Sequence, residues 1–191
     1  TAIDTGRATD FTFKHLDFEL FGAGGGGRIF GENPGGTLTV NDCTFAGEDE
    51  NYSMFDGDFS VVQVLSSQIS NFAPATKGVL QTDAPLFELC DSVFDDNSAG
   101  VIQLRNTGVF RSQNTLYDNN SDPAGIVRVL GTWESNDDQF VENDASGGNS
   151  TATVVLNNPT AENSLIGGRF KENDGSSAAD IDSSASTLTV Q

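Results

Sequence analysis

Phe94-Asp95-Asp96-Asn97, Tyr117-Asp118-Asn119-Asn120, Phe140-Val141-Glu142-Asn143 and Phe170-Lys171-Glu172-Asn173 are four versions of one phrase: a ring, two residues, an asparagine. Followed toward the N-terminus, the ring position continues through Ile69, Phe45 and Phe18. The seven anchors are spaced by 27, 24, 25, 23, 23 and 30 residues. Seven residues before the anchors stand Phe11, Leu38, Val62, Phe87, Phe110 and Trp133. Asn163 breaks that series, and Leu165 is expected to take the inward place there. After the asparagine a small residue introduces a short apolar run, as in Gly100-Val101-Ile102-Gln103-Leu104 and Gly125-Ile126-Val127-Arg128-Val129. Self-similarity at this period is the mark of a repeat architecture.

Each unit reads as a short strand, a polar turn, a second strand ending in the ring, an asparagine turn and a third strand. Leu38-Thr39-Val40 and Phe87-Glu88-Leu89 alternate with the period of two that a half-buried strand requires. No segment carries the 3.6-residue period of an amphipathic helix. One unit cannot bury its own apolar face, but units stacked about 4.8 Å apart bury it continuously. The expectation is an all-β, right-handed, single-stranded parallel β-helix of about seven turns, without substantial helix. It forms a rod of roughly 30–35 Å. A leucine-rich repeat overlaps this period, but needs close-set leucines and helical return segments; together with a sandwich it is the alternative.

The turn Phe-x-x-Asn followed by Ala99-Gly100-Val101-Ile102 and Ala124-Gly125-Ile126-Val127 resembles the repeats of chlamydial polymorphic outer-membrane proteins. Those belong to the wider pectin-lyase-like β-helix superfamily, which includes bacterial adhesins and algal or protist surface proteins. The resemblance runs from about Phe11 to Val190, departing at the first and last turns and at Gly24 to Gly27. It implies an architecture more than an activity, because this superfold carries both lyases and inert passengers.

Composition narrows the function. The chain of 191 residues has 28 acidic against 9 basic residues, a net charge of −19 and a pI near 4.1. Three Lys and six Arg scattered singly cannot neutralise a phosphate backbone, so nucleic acid is not a partner. Anionic lipid is disfavoured for the same reason. No apolar run reaches the roughly 18 residues of a membrane span. The acidity suits an extracellular or cell-surface protein. Thr1 suggests a processed chain or fragment, and residues 1–191 read as one β-helix domain, a fragment or subunit with open ends. Cys43 and Cys90 stand two turns apart, about 10 Å, and are expected to be free. The lone His15 cannot build a histidine-rich metal site, and a triad would have to use it.

The rings are expected to stack inside, and Asn97, Asn120, Asn143 and Asn173 to form a ladder or to take left-handed backbone. Acidic turns such as Glu48-Asp49-Glu50, Asn136-Asp137-Asp138 and Glu142-Asn143-Asp144 are expected to be solvated. Stacking brings like charges close, a repulsion that Ca2+ could relieve through oxygen ligands at Asp118, Asp122 or their neighbours. None of these turns has the EF-hand or glycine-rich nonapeptide pattern. No other cofactor is expected.

Two outward rows decide between an enzyme and a binding or structural module. On the third strand they are Phe30, Asp56, Gln81, Gln103, Arg128, Val155 and Asp182, with Asp83 and Arg105 beside them. Asp56, Gln81, Gln103, Arg105 and Arg128 could line a shallow glycan groove. No paired carboxylates fall there for acid–base chemistry, and the loops are short. The row on the first strand runs Thr12, Thr39, Gln63, Glu88, Arg111, Glu134, Ser164 and Thr189, too charged for an ice-binding threonine array. Asn51, Asn119 and Asn149 head Asn-x-Ser/Thr sequons that would carry glycans in a secreted eukaryotic protein. The last segment, Thr187 to Val190, reads as the first strand of a further turn. A non-enzymatic extracellular structural or adhesive module follows, a stalk, surface adhesin or filament subunit. Its partners would be further copies stacked end to end, neighbouring domains of a longer chain, or surface glycans. The alternative is a carbohydrate-binding or polysaccharide-cleaving module.

Overall fold

The computed structural model describes residues 10–19, 27–30, 35–50, 52–57, 59–74, 78–98, 100–146, 152–175, 180–183 and 187–191. These contain strands and no helix, so no helix is long and apolar enough to cross a membrane. Three parallel sheets of eight, seven and seven strands wrap one interior. The first sheet stacks Phe11–Lys14, Thr37–Asn41, Val61–Leu65, Leu86–Cys90, Val109–Gln113, Thr132–Asn136, Glu162–Ile166 and Thr187–Val190, in chain order. The second runs from Asp17–Glu19 to Arg169–Lys171, and the third from Gly27–Phe30 to Ile181–Asp182. The chain visits the sheets in rotation, so every strand pairs with its counterpart one turn away. This is a β-solenoid of about seven turns.

The register is the one the repeat dictates. Phe18, Phe45, Ile69, Phe94, Tyr117, Phe140 and Phe170 are successive partners in the second sheet. Phe11, Leu38, Val62, Phe87, Phe110 and Trp133 are successive partners in the first. The ring column is face to face where its members are aromatic. Centroids lie 4.7 Å apart for Phe18–Phe45, 4.6 Å for Tyr117–Phe140 and 4.7 Å for Phe140–Phe170, with planes within 6°. Ring pairs contribute roughly 0.5–1.5 kcal/mol beyond the area they bury. Ile69 interrupts the column, and Phe94 resumes it.

Two inward positions differ from the sequence reading. Phe30 is fully buried and pairs with Phe55, so it belongs to the column of Leu80, Ile102, Val127 and Val154. There its ring is removed from water and meets Phe18 and Phe45 edge-on. Asn163 also points inward, with Leu165. Its Oδ1 accepts the Trp133 N–H at 2.8 Å, and its Nδ2 donates to the Thr187 carbonyl at 3.0 Å. A buried amide is tolerated there because both ends are satisfied.

The corners place six of the acidic residues on left-handed backbone. Between the first and second sheets, His15, Asp42, Ser66, Asp91, Asn114 and Asp137 have φ between 47° and 56°, and Gly167 has φ 65°. At the next corner Asn71, Asp96, Asn119, Glu142 and Glu172 do the same, with φ between 49° and 58°. Asn and Asp are the side chains that tolerate this region best. The left-handed residue is therefore the one before each ladder asparagine, not the asparagine itself. Glu48-Asp49-Glu50, expected in a turn, lies in the strand Thr44–Glu50, whose register shifts after Ala46.

Candidate functional site

Side-chain ladders are the first feature built by this register. The Asn97 Nδ2 donates to the Asn120 Oδ1 at 2.8 Å, Asn120 to Asn143 at 3.0 Å, and Asn143 to Asn173 at 2.9 Å. Each Oδ1 also accepts a backbone N–H of the preceding turn, from Phe72, Asn97, Asn120 and Asn143 in order. The remaining amide hydrogens go to the carbonyls of Ile69, Phe94, Tyr117 and Phe140. This amide column fills the needs of a buried corner and leaves nothing for chemistry.

The other corner carries a ladder that the sequence did not reveal. The Cys43 N–H reaches the Ser67 Oγ at 3.2 Å, the Ser67 N–H the Ser92 Oγ at 3.2 Å, and the Thr115 N–H the Asp138 Oδ1 at 2.9 Å. Asp138 is therefore no solvated turn residue: it is fully buried. Its Oδ2 accepts the Ser112 and Ser135 hydroxyls, the latter at 2.6 Å. Burial pushes its carboxyl above the ordinary range, although three donors work against that shift. Its place after a left-handed residue, shared with Ser67 and Ser92, was the available signal. Both cysteines are free, Cys43 buried and Cys90 half-buried.

On the third sheet Gln81, Gln103 and Arg128 stand in one column on consecutive turns. Asp56 shares their backbone register, but its side chain lies outside the description. Gln81 is buried, leaving Gln103 and Arg128 at the surface. The two arginines have local carboxylates: Arg105 Nη2 is 2.6 Å from Asp83 Oδ2, and Arg128 Nη2 is 3.6 Å from Asp122 Oδ2. Gln103, Arg105, Arg128, Leu130 and Asn157 border a shallow depression of about 290 Å³. It presents amide and guanidinium groups beside an exposed leucine, a chemistry suited to hydroxyls and carboxylates.

The proposed calcium ligands are not gathered. Asp118 pairs with Asp95 and Val141 on the outer side of the second sheet, whereas Asp122 turns to Arg128 and to the Ala124 N–H at 2.6 Å. Among the described residues no group of three His, Cys, Asp or Glu side chains converges as a metal site. Burial, then the charges of Asp96 and Asp118, push the Asp95 carboxyl upward. Elsewhere the stacked acids are spaced by donors: Asn114 Nδ2 binds Asp91 Oδ1 at 2.7 Å, Asn119 Nδ2 binds Asp96 Oδ1, and His15 Nδ1 lies 2.6 Å from Asp42 Oδ2. Asn119, one of the three sequon asparagines, is exposed. Asn51 and Asn149 lie outside the described residues, as do Gly24 to Gly26.

The outer row of the first sheet forms a polar chain. Thr39 Oγ1 donates to Gln63 Oε1 at 3.0 Å, Gln63 Nε2 to Glu88 Oε2 at 2.8 Å, and Arg111 Nε to Glu134 Oε2 at 2.7 Å. Arg111 Nη1 also lies 3.7 Å from Glu88 Oε1. A depression of about 470 Å³ opens over Glu88, Arg111, Glu134, Glu162 and Ile166. No protein-family model, curated protein or solved structure matches the chain.

Proposed function

We propose that this chain is a non-enzymatic structural or adhesive module of the extracellular space or cell surface, extended by stacking along its axis. The observation that carries the reading is Val190. Its strand, Thr187–Val190, is outermost in the first sheet and continues the register of Glu162–Ile166. Val190 pairs with Leu165, in a column whose earlier members Val40, Val64 and Leu89 are fully buried, yet it is 65% exposed. A strand edge with an apolar side chain in this position is a template for one more strand. In this reading a second copy of the solenoid supplies one more rung against that strand. Such contacts are heterologous and give filaments rather than closed rings.

The faces support the same reading. On the first sheet Arg111 bridges Glu88 and Glu134 of the two neighbouring turns, and on the third Arg105 and Arg128 meet Asp83 and Asp122, so these cations are engaged within the rod wall. Sedimentation velocity at rising salt tests the proposal, because screening weakens the repulsion of a chain with net charge −19. Association should increase with salt, and replacing Leu188 and Val190 by Lys should abolish it while leaving the earlier turns folded. Salt-independent monomers, or association untouched by these substitutions, contradict it.

A carbohydrate-binding role is favoured by one observation, the Gln103–Arg128 depression with its amide and guanidinium donors. Binding of acidic and neutral polysaccharides, lost in a Gln103→Ala/Arg128→Ala variant, supports it. Release of reducing or unsaturated ends would instead indicate cleavage.

A further inference from the structure

The second sheet carries opposite charge at its two edges. Among the described residues its outermost strands are Asp17-Phe18-Glu19 at one end and Arg169-Phe170-Lys171 at the other. Three residue columns run between them: one from Asp17 to Arg169, one from Phe18 to Phe170 and one from Glu19 to Lys171. Two carboxylates therefore flank the first ring of the inward column, and two cations flank the last. The chain has nine basic residues, and two of them stand on this one strand of three. Asp17, Glu19 and Arg169 are exposed and have no side-chain partner among the described residues. Lys171 is half-buried, with its Nζ 3.1 Å from the Oε1 of its neighbour Glu172.

Resting on the end-to-end reading above, we propose that these two strands set the polarity of stacking: Arg169 and Lys171 of one copy face Asp17 and Glu19 of the next. Continuing the columns into a second copy brings opposite charges together only head to tail. Joined by like ends, two copies would set Arg169 and Lys171 against themselves, or Asp17 and Glu19 against themselves. Like charges at facing strand positions are destabilising and opposite charges stabilising.

The strand count sets the distance. The first sheet has eight strands and the second seven. When Phe11–Lys14 of the next copy pairs with Thr187–Val190, its Asp17–Glu19 therefore stands two strand spacings, about 9.6 Å, from Arg169–Lys171. Arginine and lysine lean along the axis on long stems and bridge that span to the carboxylates, which shorter side chains do not. Lys14 lies at the same end as the two carboxylates, but the strand it approaches, Thr187–Val190, carries no charge. Glu172 competes for Lys171 and leaves Arg169 to its partner.

Charge exchange at the two ends tests this, read by sedimentation velocity at a salt concentration where the parent associates. Asp17→Lys/Glu19→Lys and Arg169→Glu/Lys171→Glu should each associate roughly tenfold more weakly than the parent, since two attractive pairs become repulsive. An equimolar mixture of the two variants should recover association, because each supplies the end that the other lacks. The variant with all four substitutions should recover it by itself. Asp17→Lys/Glu19→Lys brings the chain nearer neutrality, so net charge alone would strengthen its association, the opposite result. If the parent associates and either double variant does so equally well, or the mixture is no stronger than its components, the polarity is overturned while stacking stands. A parent that stays monomeric at every salt concentration overturns stacking and the polarity with it. Should a charge reversal prevent folding, the neutral variants Asp17→Asn/Glu19→Gln and Arg169→Gln/Lys171→Gln replace it, with weaker association expected. Association equal to the parent's then overturns the polarity.

Discussion

The Asn120 amide nitrogen lies 3.0 Å from the Asn143 Oδ1, and that oxygen also accepts the Asn120 backbone N–H at 3.1 Å. The two asparagines are 23 residues apart in the chain and one turn apart in space. One side-chain oxygen thus serves two donors of its neighbour, while the other amide hydrogen of Asn120 holds the Phe94 carbonyl. The column is directional: donors of each turn face the acceptor of the next.

Asn120→Ala should therefore strip partners from several buried groups at once, the N–H of Asn97 and the Phe94 carbonyl among them. Each unsatisfied group costs about 1–3 kcal/mol. A loss of roughly 2–4 kcal/mol is expected in denaturant titration, and a loss under about 0.5 kcal/mol would mean that water replaces the ladder.

Truncating the ring column should cost about 3–5 kcal/mol per position. Phe140→Ala should be the more severe, because Phe140 stacks on Tyr117 and Phe170 and meets Trp133 edge-on. Among the described residues Phe94 stacks on Tyr117 alone, with Ile69 on its other side. Equal melting of both variants and the parent would show that the column is not the core.

Most of this architecture was legible because it rests on period. The spacing of Phe94, Tyr117 and Phe140 translates directly into register, since a parallel turn must return each residue to its own column. What escaped reading depends on which side of a corner a polar residue faces. Asp137 and Asp138 are adjacent and chemically identical, yet one is exposed on left-handed backbone and the other buried. Composition cannot distinguish them; the serines at 112 and 135 that receive Asp138 lie 26 and 3 residues away. Phe30 was misplaced because its short strand precedes the regular repeats. Gln81, Gln103 and Arg128 share one column, as the period requires, although Gln81 is buried rather than outward; the carboxylates that meet Arg105 and Arg128, Asp83 and Asp122, come from loops, which carry no period.

Gly131 should tolerate no side chain. A Cβ there would run into the backbone of Gly108 on the preceding turn, its carbonyl oxygen first. Gly131→Ala should destabilise by roughly 1–3 kcal/mol, the usual cost of overpacking. Gly78→Ala, whose Cβ would lie 3.0 Å from the Gly100 oxygen, should cost less. Thermal melting of the pair gives the order, and the reverse order would contradict the turn spacing at Gly108–Gly131.

Asp144 should behave oppositely to Asp138 on acidification. The Ser146 hydroxyl and N–H hold its carboxyl below the ordinary range. Its folded form binds a proton less readily than the unfolded chain, so its contribution is present above about pH 4 and lost as pH falls through the lower folded value. Asp144→Ala should melt below the parent at neutral pH and converge with it in acid. Solvent exposure keeps the gap small, and a gap that widens in acid would reverse the assignment.

The most direct test of the stacked-rod account is small-angle scattering of the protein as salt is raised. The account predicts particles that lengthen while the cross-sectional radius stays that of a single solenoid, with the lengthening absent when Leu188 and Val190 are Lys. A cross-section that grows with association, or a compact dimer of fixed length, would contradict it.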